Sequence, residues 1–118
     1  MPVRAKDSAV DRLFGALANP TRRDILDLLL TGEHTAGAIA QHFDMARPSV
    51  SEHLRVLVEC ELLTERTEGR QVFYAAVGSP LIAVRDWLTP HERFWRERMT
   101  AIGGVLEDLA EQEQRDAP

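Results

Sequence analysis

Residues Met45 to Leu62 read MARPSVSEHLRVLVECEL, and the fold turns on how this stretch is interpreted. Its period is helical. Pro48 suits the first helical position, where the missing N–H would have no intrahelical partner. Val50, Leu54, Leu57 and Val58 recur at the spacing that places them on one side, with Glu61 as the polar exception. Ser49, Ser51, Glu52, His53 and Arg55 take the other side and its margins. These are side chains that reach base edges and phosphates. A second short amphipathic helix is expected just upstream, from Thr35 to Phe43, leaving Asp44, Met45 and Ala46 as the link. Two short helices joined by a tight turn, the second polar outside, match a helix-turn-helix. Periodicity alone also serves a plain helical hairpin in a small all-α domain.

The segment that follows separates these readings. Leu62 to Thr67 and Arg70 to Val77 are rich in β-formers, with Glu68-Gly69 between them. A two-residue link ending in glycine between such runs predicts a β-hairpin. Val72, Tyr74 and Ala76 alternate with Phe73, Ala75 and Val77, and Arg66 and Arg70 flank the tip. Helix-turn-helix followed at once by a hairpin is the order of a winged helix.

Upstream, Ser8 to Ala18 predicts a first helix, with Ser8 and Asp11 at capping-box spacing and Val10, Leu13, Phe14 and Leu17 as its apolar face. Asn19 caps the next helix and Pro20 begins it. Ile25, Leu26, Leu28, Leu29 and Leu30 make that second helix the core of the domain, with Arg22 and Arg23 looking outward near its start. Downstream, Ser79-Pro80 opens a last helix, and Thr89-Pro90 predicts a break or kink because a residue before proline avoids the α region. Trp87, Phe94, Trp95, Met99, Ile102 and Leu106 carry its apolar stripe, Gly103-Gly104 weakens it, and the polar tail from Glu111 onward is expected to be disordered.

Composition bounds the function. The chain has 118 residues, a formal net charge of -5 and one cysteine. One domain is expected over 1–118. The acidic balance argues against a protein that coats nucleic acid without regard to sequence. Cys60 has no intramolecular disulfide partner, and no apolar run reaches the ~18 residues of a membrane span. A cytoplasmic protein without membrane association is the expectation. A small winged core cannot cover both tryptophans of the last helix, which predicts pairing with a second copy. The alternative is that this helix folds back on its own domain.

The chain resembles the ArsR-type winged-helix repressors of bacteria, specifically a non-metal, autorepressor-like branch. The resemblance rests on LANPTRRDILDLL (17–29), RPSVSEHLRVLVECELL (47–63), EGRQVFY (68–74) and WLTPHERFWRERM (87–99). It implies a mainly α fold with a small hairpin: helix-turn-helix at 35–60, wing at 62–77, and dimerisation helices at 8–18 and 79–110. It further implies a homodimer whose first and last helices meet through Leu13, Phe14, Leu17, Trp87, Phe94, Trp95, Met99, Ile102 and Leu106, with each recognition helix in a major groove of a palindromic operator. Two departures bear on specificity. Ala46-Arg47 stands where many members carry Ser-Gln, and Glu52 stands where Arg or Gln is common, so no operator sequence carries over.

Metal sensing, the family's best-known activity, is not expected. The third helix lacks a Cys-x-Cys pair, Cys60 stands alone between Glu59 and Glu61, and His34, His42 and His91 match no ligand spacing. No cofactor is implied. An enzyme is equally disfavoured: there is no phosphate-binding glycine loop, and Ser51 and His53, two apart on a helix, do not face each other. A winged helix that binds protein instead of DNA is the remaining alternative, kept open by the acidic charge. The expected DNA contacts are Arg47, Ser49, Ser51 and Glu52 for bases, Arg22, Arg23, His53 and Arg55 for phosphates, and Arg66, Arg70 and Gln71 for the wing. A small-molecule or protein effector is compatible with this reading, and none is identified by it.

Overall fold

The computed structural model describes residues 8–116. Its elements run α1 (Ala9–Leu17), α2 (Pro20–Leu29), β1 (His34–Thr35), α3 (Ala36–Phe43), α4 (Arg47–Glu59), β2 (Leu63–Glu68), β3 (Gln71–Ala76) and α5 (Leu81–Asp116). The described residues fall into two compact units divided between Val84 and Arg85. The first is a winged helix-turn-helix, and the second is helical throughout.

The helix starts follow their capping chemistry. Ser8 Oγ accepts from the Asp11 N–H, Asn19 Oδ1 from the Arg22 N–H and Thr35 Oγ1 from the Ala38 N–H, each at 3.1 Å. Each satisfies one of the N–H groups that a helix leaves unpaired at its start. The fourth helix has no such bond: Ala46 occupies its cap position, and Pro48 lies in its first turn.

Both helices of the helix-turn-helix end on a residue in the left-handed conformation. Asp44 has φ 52° and Glu61 has φ 61°. Past α3, the Met45 N–H reaches the Ala40 carbonyl at 2.9 Å, and past α4 the Leu62 N–H reaches the Leu57 carbonyl at 3.0 Å. This is the Schellman closure, normally made by glycine. It stops α4 at Glu59 and turns Leu62 and Leu63 back into the core, so the helix is shorter than the expected run to Leu62.

The core of the first unit is built on α4. Val50, Leu54 and Leu57 are completely buried together with Ile25 of α2, Ile39 of α3 and Leu62. Leu13 joins them at 4% exposure. It packs into the protomer core, a role the sequence did not assign to it beside the expected dimer contact. Phe14 and Leu17, one helical step away, stay half-buried.

A three-stranded antiparallel sheet in the order β1-β3-β2 flanks the helices. Two details differ from expectation. The chain between α2 and α3 contributes β1, with His34 opposite Tyr74 and Thr35 opposite Phe73. The hairpin turn is Gly69-Arg70, since Glu68 already pairs with Gln71. Gly69 has φ +61° and Arg70 is not left-handed, so glycine is required at the first turn position.

The last helix also departs from expectation. It is unbroken through Pro90 and continues to Asp116, past the tail expected to be disordered. The Thr89 hydroxyl donates to the Arg85 carbonyl at 2.7 Å, adding a local bond in the turn where proline removes a backbone donor. Residues 117 and 118 lie outside the described residues.

Two substitutions test this account in opposite directions under urea denaturation. Leu54→Ala is expected to destabilise by about 2–5 kcal/mol through cavity formation. Glu61→Gly is expected to stabilise by roughly 1 kcal/mol, because it relieves a left-handed non-glycine residue. A Glu61→Gly variant less stable than the parent contradicts the closure described.

Candidate nucleic-acid interface

The recognition helix shows opposite characters on its two sides. Against the buried Val50–Leu54–Leu57 face, Arg47, Ser49, Ser51, Glu52 and Arg55 are all exposed. The first turn of α3, the N-terminal half of α4 and β3 from the wing tip to Tyr74 border a groove of about 300 Å³, lined by Thr35, Gly37, Arg47, Ser51, Arg70, Gln71 and Tyr74 among others. Of the predicted contacts, the groove thus gathers Arg47, Ser51, Arg70 and Gln71. Tyr74, Thr35 and Gly37 join them unforeseen. Tyr74 was legible as one member of an alternating strand, but its place depends on β1 pairing with β3.

The arginines divide into two kinds. Arg55 is bracketed on its own helix by Glu52 at 2.5 Å and Glu59 at 2.7 Å. Arg66 is held by Glu33 and Glu68, both at 2.6 Å, and its guanidinium lies 4.7 Å from the centre of the Phe73 ring. Among the described residues, no carboxylate pairs with Arg47 or Arg70 at this distance. The Arg55 hydrogen bonds, followed by its charge, hold the Glu52 carboxyl below the usual carboxylate range. Glu52 is therefore a carboxylate at neutral pH, as an acceptor from cytosine requires. All of these pairs are exposed, and exposed ion pairs contribute only about 0–1 kcal/mol, so a phosphate can replace a carboxylate partner at small cost.

Three further expected phosphate contacts, Arg22, Arg23 and His53, have defined surroundings within the described residues. The Arg22 Nε donates to the Ala16 carbonyl at 3.1 Å and the Arg23 Nη1 to the Leu17 carbonyl at 2.7 Å. Both cap the C-terminal end of α1, where carbonyls lack helical partners. His53 is half-buried, and its Nδ1 is shut from solvent without a hydrogen-bond partner among the described residues. These side chains have structural surroundings that helical spacing could not reveal.

Cys60 is half-buried, and its Sγ donates to the Arg12 carbonyl at 3.5 Å. Burial is the main cause that pushes its thiol up, and Glu59 adds to it. Among the described residues no group of three or more His, Cys, Asp or Glu side chains is placed to hold a metal ion, and no helix is long and apolar enough to cross a membrane.

The second unit, taken alone, carries a long exposed apolar stripe. Leu88, Trp95, Ile102 and Leu109 recur every seventh residue, and Trp95 is 61% exposed. Trp87 stacks on His91 with ring centres 4.4 Å apart, and Phe94 meets Trp95 edge to face. Arg96 pairs with Glu92, one turn away.

Comparison with known proteins agrees with this geometry. The family profile described as bacterial regulatory protein, arsR family, matches residues 19–65, which span α2, the helix-turn-helix and the start of the wing. The transcriptional repressor SdpR of Bacillus subtilis (strain 168) is 38% identical over 79 residues, covering 67% of this chain and 88% of the relative. A crystal structure of an ArsR family transcriptional regulator superposes with a TM-score of 0.68 at 34% identity, covering 75% of this chain and 91% of that one. A solution structure of a homodimeric winged helix-turn-helix DNA-binding domain from Mycobacterium bovis, a possible ArsR-family regulator, gives a TM-score of 0.59 at 28% identity, covering 79% and 91%. With its winged helix-turn-helix and a repressor relative matched over most of that relative's length, this chain belongs to the ArsR family of bacterial regulatory proteins.

Proposed function

We propose that the protein is a homodimeric repressor that binds a palindromic operator through α4 and the wing and blocks its promoter. The observation that carries this is the two-sided recognition helix. One face is fixed in the core, and the other meets the wing at a polar groove holding two arginines that pair with no carboxylate among the described residues. A helix so oriented enters a major groove with its N-terminal residues toward the base edges. Arg47 offers two donors to guanine, Glu52 accepts from cytosine, and Ser49 and Ser51 bond to either. Arg70 and Gln71 take the adjacent backbone or minor groove. Arg55 and Arg66 exchange carboxylate partners for phosphates on docking.

The second copy accounts for the exposed stripe of α5. An apolar surface of this extent on a DNA-binding protein marks an interaction site, and a two-fold dimer matches the symmetry of a palindrome. Phe14 and Leu17 of α1 are proposed to share that interface with Trp87, Phe94, Trp95, Met99, Ile102 and Leu106.

Reading and positioning separate by mutation. Glu52→Ala is expected to relax discrimination at one base pair per half-site by about 1–3 kcal/mol. Arg70→Ala is expected to weaken all sequences alike and to flatten the salt slope by about one contact per subunit. Binding to a randomised duplex library at two salt concentrations measures both. Exchanged outcomes contradict the docking, and the absence of any salt-dependent binding to DNA favours the protein-interaction alternative.

Trp95→Glu is expected to give a folded monomer by sedimentation and circular dichroism. Its operator affinity should fall by about a hundred-fold or more as the second half-site is lost. A Trp95→Glu dimer with parental affinity contradicts the interface.

A further inference from the structure

Gly37 is the second residue of α3, where alanine has the higher helix propensity. Its backbone is in the ordinary helical region, so no turn requires glycine there. A side chain at this position would, however, meet Arg47. A Cβ built on Gly37 comes within 3.2 Å of Arg47 Nη1 and 3.9 Å of its Cζ. The end of the Arg47 guanidinium therefore stands against the space that a side chain at Gly37 would take. Among the described residues no carboxylate pairs with it, in contrast to the bracketed Arg55 and Arg66.

An arginine loses considerable rotamer freedom when it is fixed for bidentate recognition, and prior placement reduces that cost. A glycine shelf leaves room for the side chain in this position, and among the described residues no carboxylate takes its donors. That combination suits a residue that must reach a base edge at a defined angle. The groove beside it contains Ser51, Tyr74 and Arg70, so the shelf sits where the helix-turn-helix and the wing converge.

We propose that Gly37 is a positioning residue for base reading, holding Arg47 at the groove through the absence of its own side chain. This rests on Arg47 reading DNA as proposed above. The test is a mutant cycle on the duplex that the parent protein selects from a randomised library, read by fluorescence anisotropy and thermal melting. Arg47→Ala should weaken binding about ten-fold or more. Gly37→Ala should raise the melting temperature through helix propensity while weakening binding by about three-fold, and Gly37→Leu should weaken it further. In the Arg47→Ala background, neither Gly37 substitution should change affinity. If Arg47→Ala binds like the parent, the reading role of Arg47 fails. If Arg47→Ala weakens binding but the Gly37 substitutions do not, or weaken it equally in both backgrounds, the positioning role fails. A lowered melting temperature for Gly37→Ala overturns the shelf itself, since only the Arg47 side chain is expected to yield.

Discussion

The buried contact of Val50, Leu54 and Leu57 with Ile25, Ile39 and Leu62 is the constraint on which the rest of the first unit depends. It removes the apolar side of α4 from water and leaves one orientation for the polar side. Rotating the helix by one residue, about 100°, would expose this row and bury Ser51 or Arg55. The two left-handed closures at Asp44 and Glu61 set the ends of the same unit. One turns the chain from α3 into α4, and the other returns it to the core and into the wing. Their backbone strain is offset by the burial of Leu62 and Leu63 directly beyond Glu61.

Charge sorts the outer face. The protein carries a formal net charge of -5, an unusual balance for a DNA-binding domain. Glu52, Glu59, Glu33 and Glu68 neutralise Arg55 and Arg66 in the free protein. Such pairing lowers the pull on arbitrary phosphate backbones, which is the sequence-independent part of affinity. Arg47 and Arg70 keep theirs. In the docking proposed above, this favours specific recognition over non-specific coating, since the carboxylates would yield only where the fit brings phosphates close enough to replace them.

Local chemistry was legible in the sequence. Ser8, Asn19 and Thr35 announce their helices through side-chain oxygens that act within three residues, and the α4 core face follows from its period. Distant pairing was not legible. The strand at His34–Thr35 exists only because β3 offers it a partner much later in the chain. The Arg66–Glu33 pair follows from that same juxtaposition. Leu13 has the same amphipathic spacing as Phe14 and Leu17, and nothing local tells which of them enters the core. The turn at Gly69-Arg70 is displaced by one residue because strand register, and not the glycine alone, decides which two residues stay unpaired. Pro90 illustrates the limit of a local rule: its preference for a break is overridden within a helix that otherwise continues on both sides.

The central claim is that the α4 face opposite the core, together with the wing tip, meets DNA. Amide chemical-shift mapping of the labelled full-length protein, titrated with its selected operator duplex, tests it most directly. The account predicts the largest shifts at Arg47, Ser49, Ser51 and Glu52 and at Gly69 to Gln71, with Ile25 and Leu29 little changed. Shifts concentrated in α1 and residues 85–116, with the recognition helix and wing silent, would contradict it.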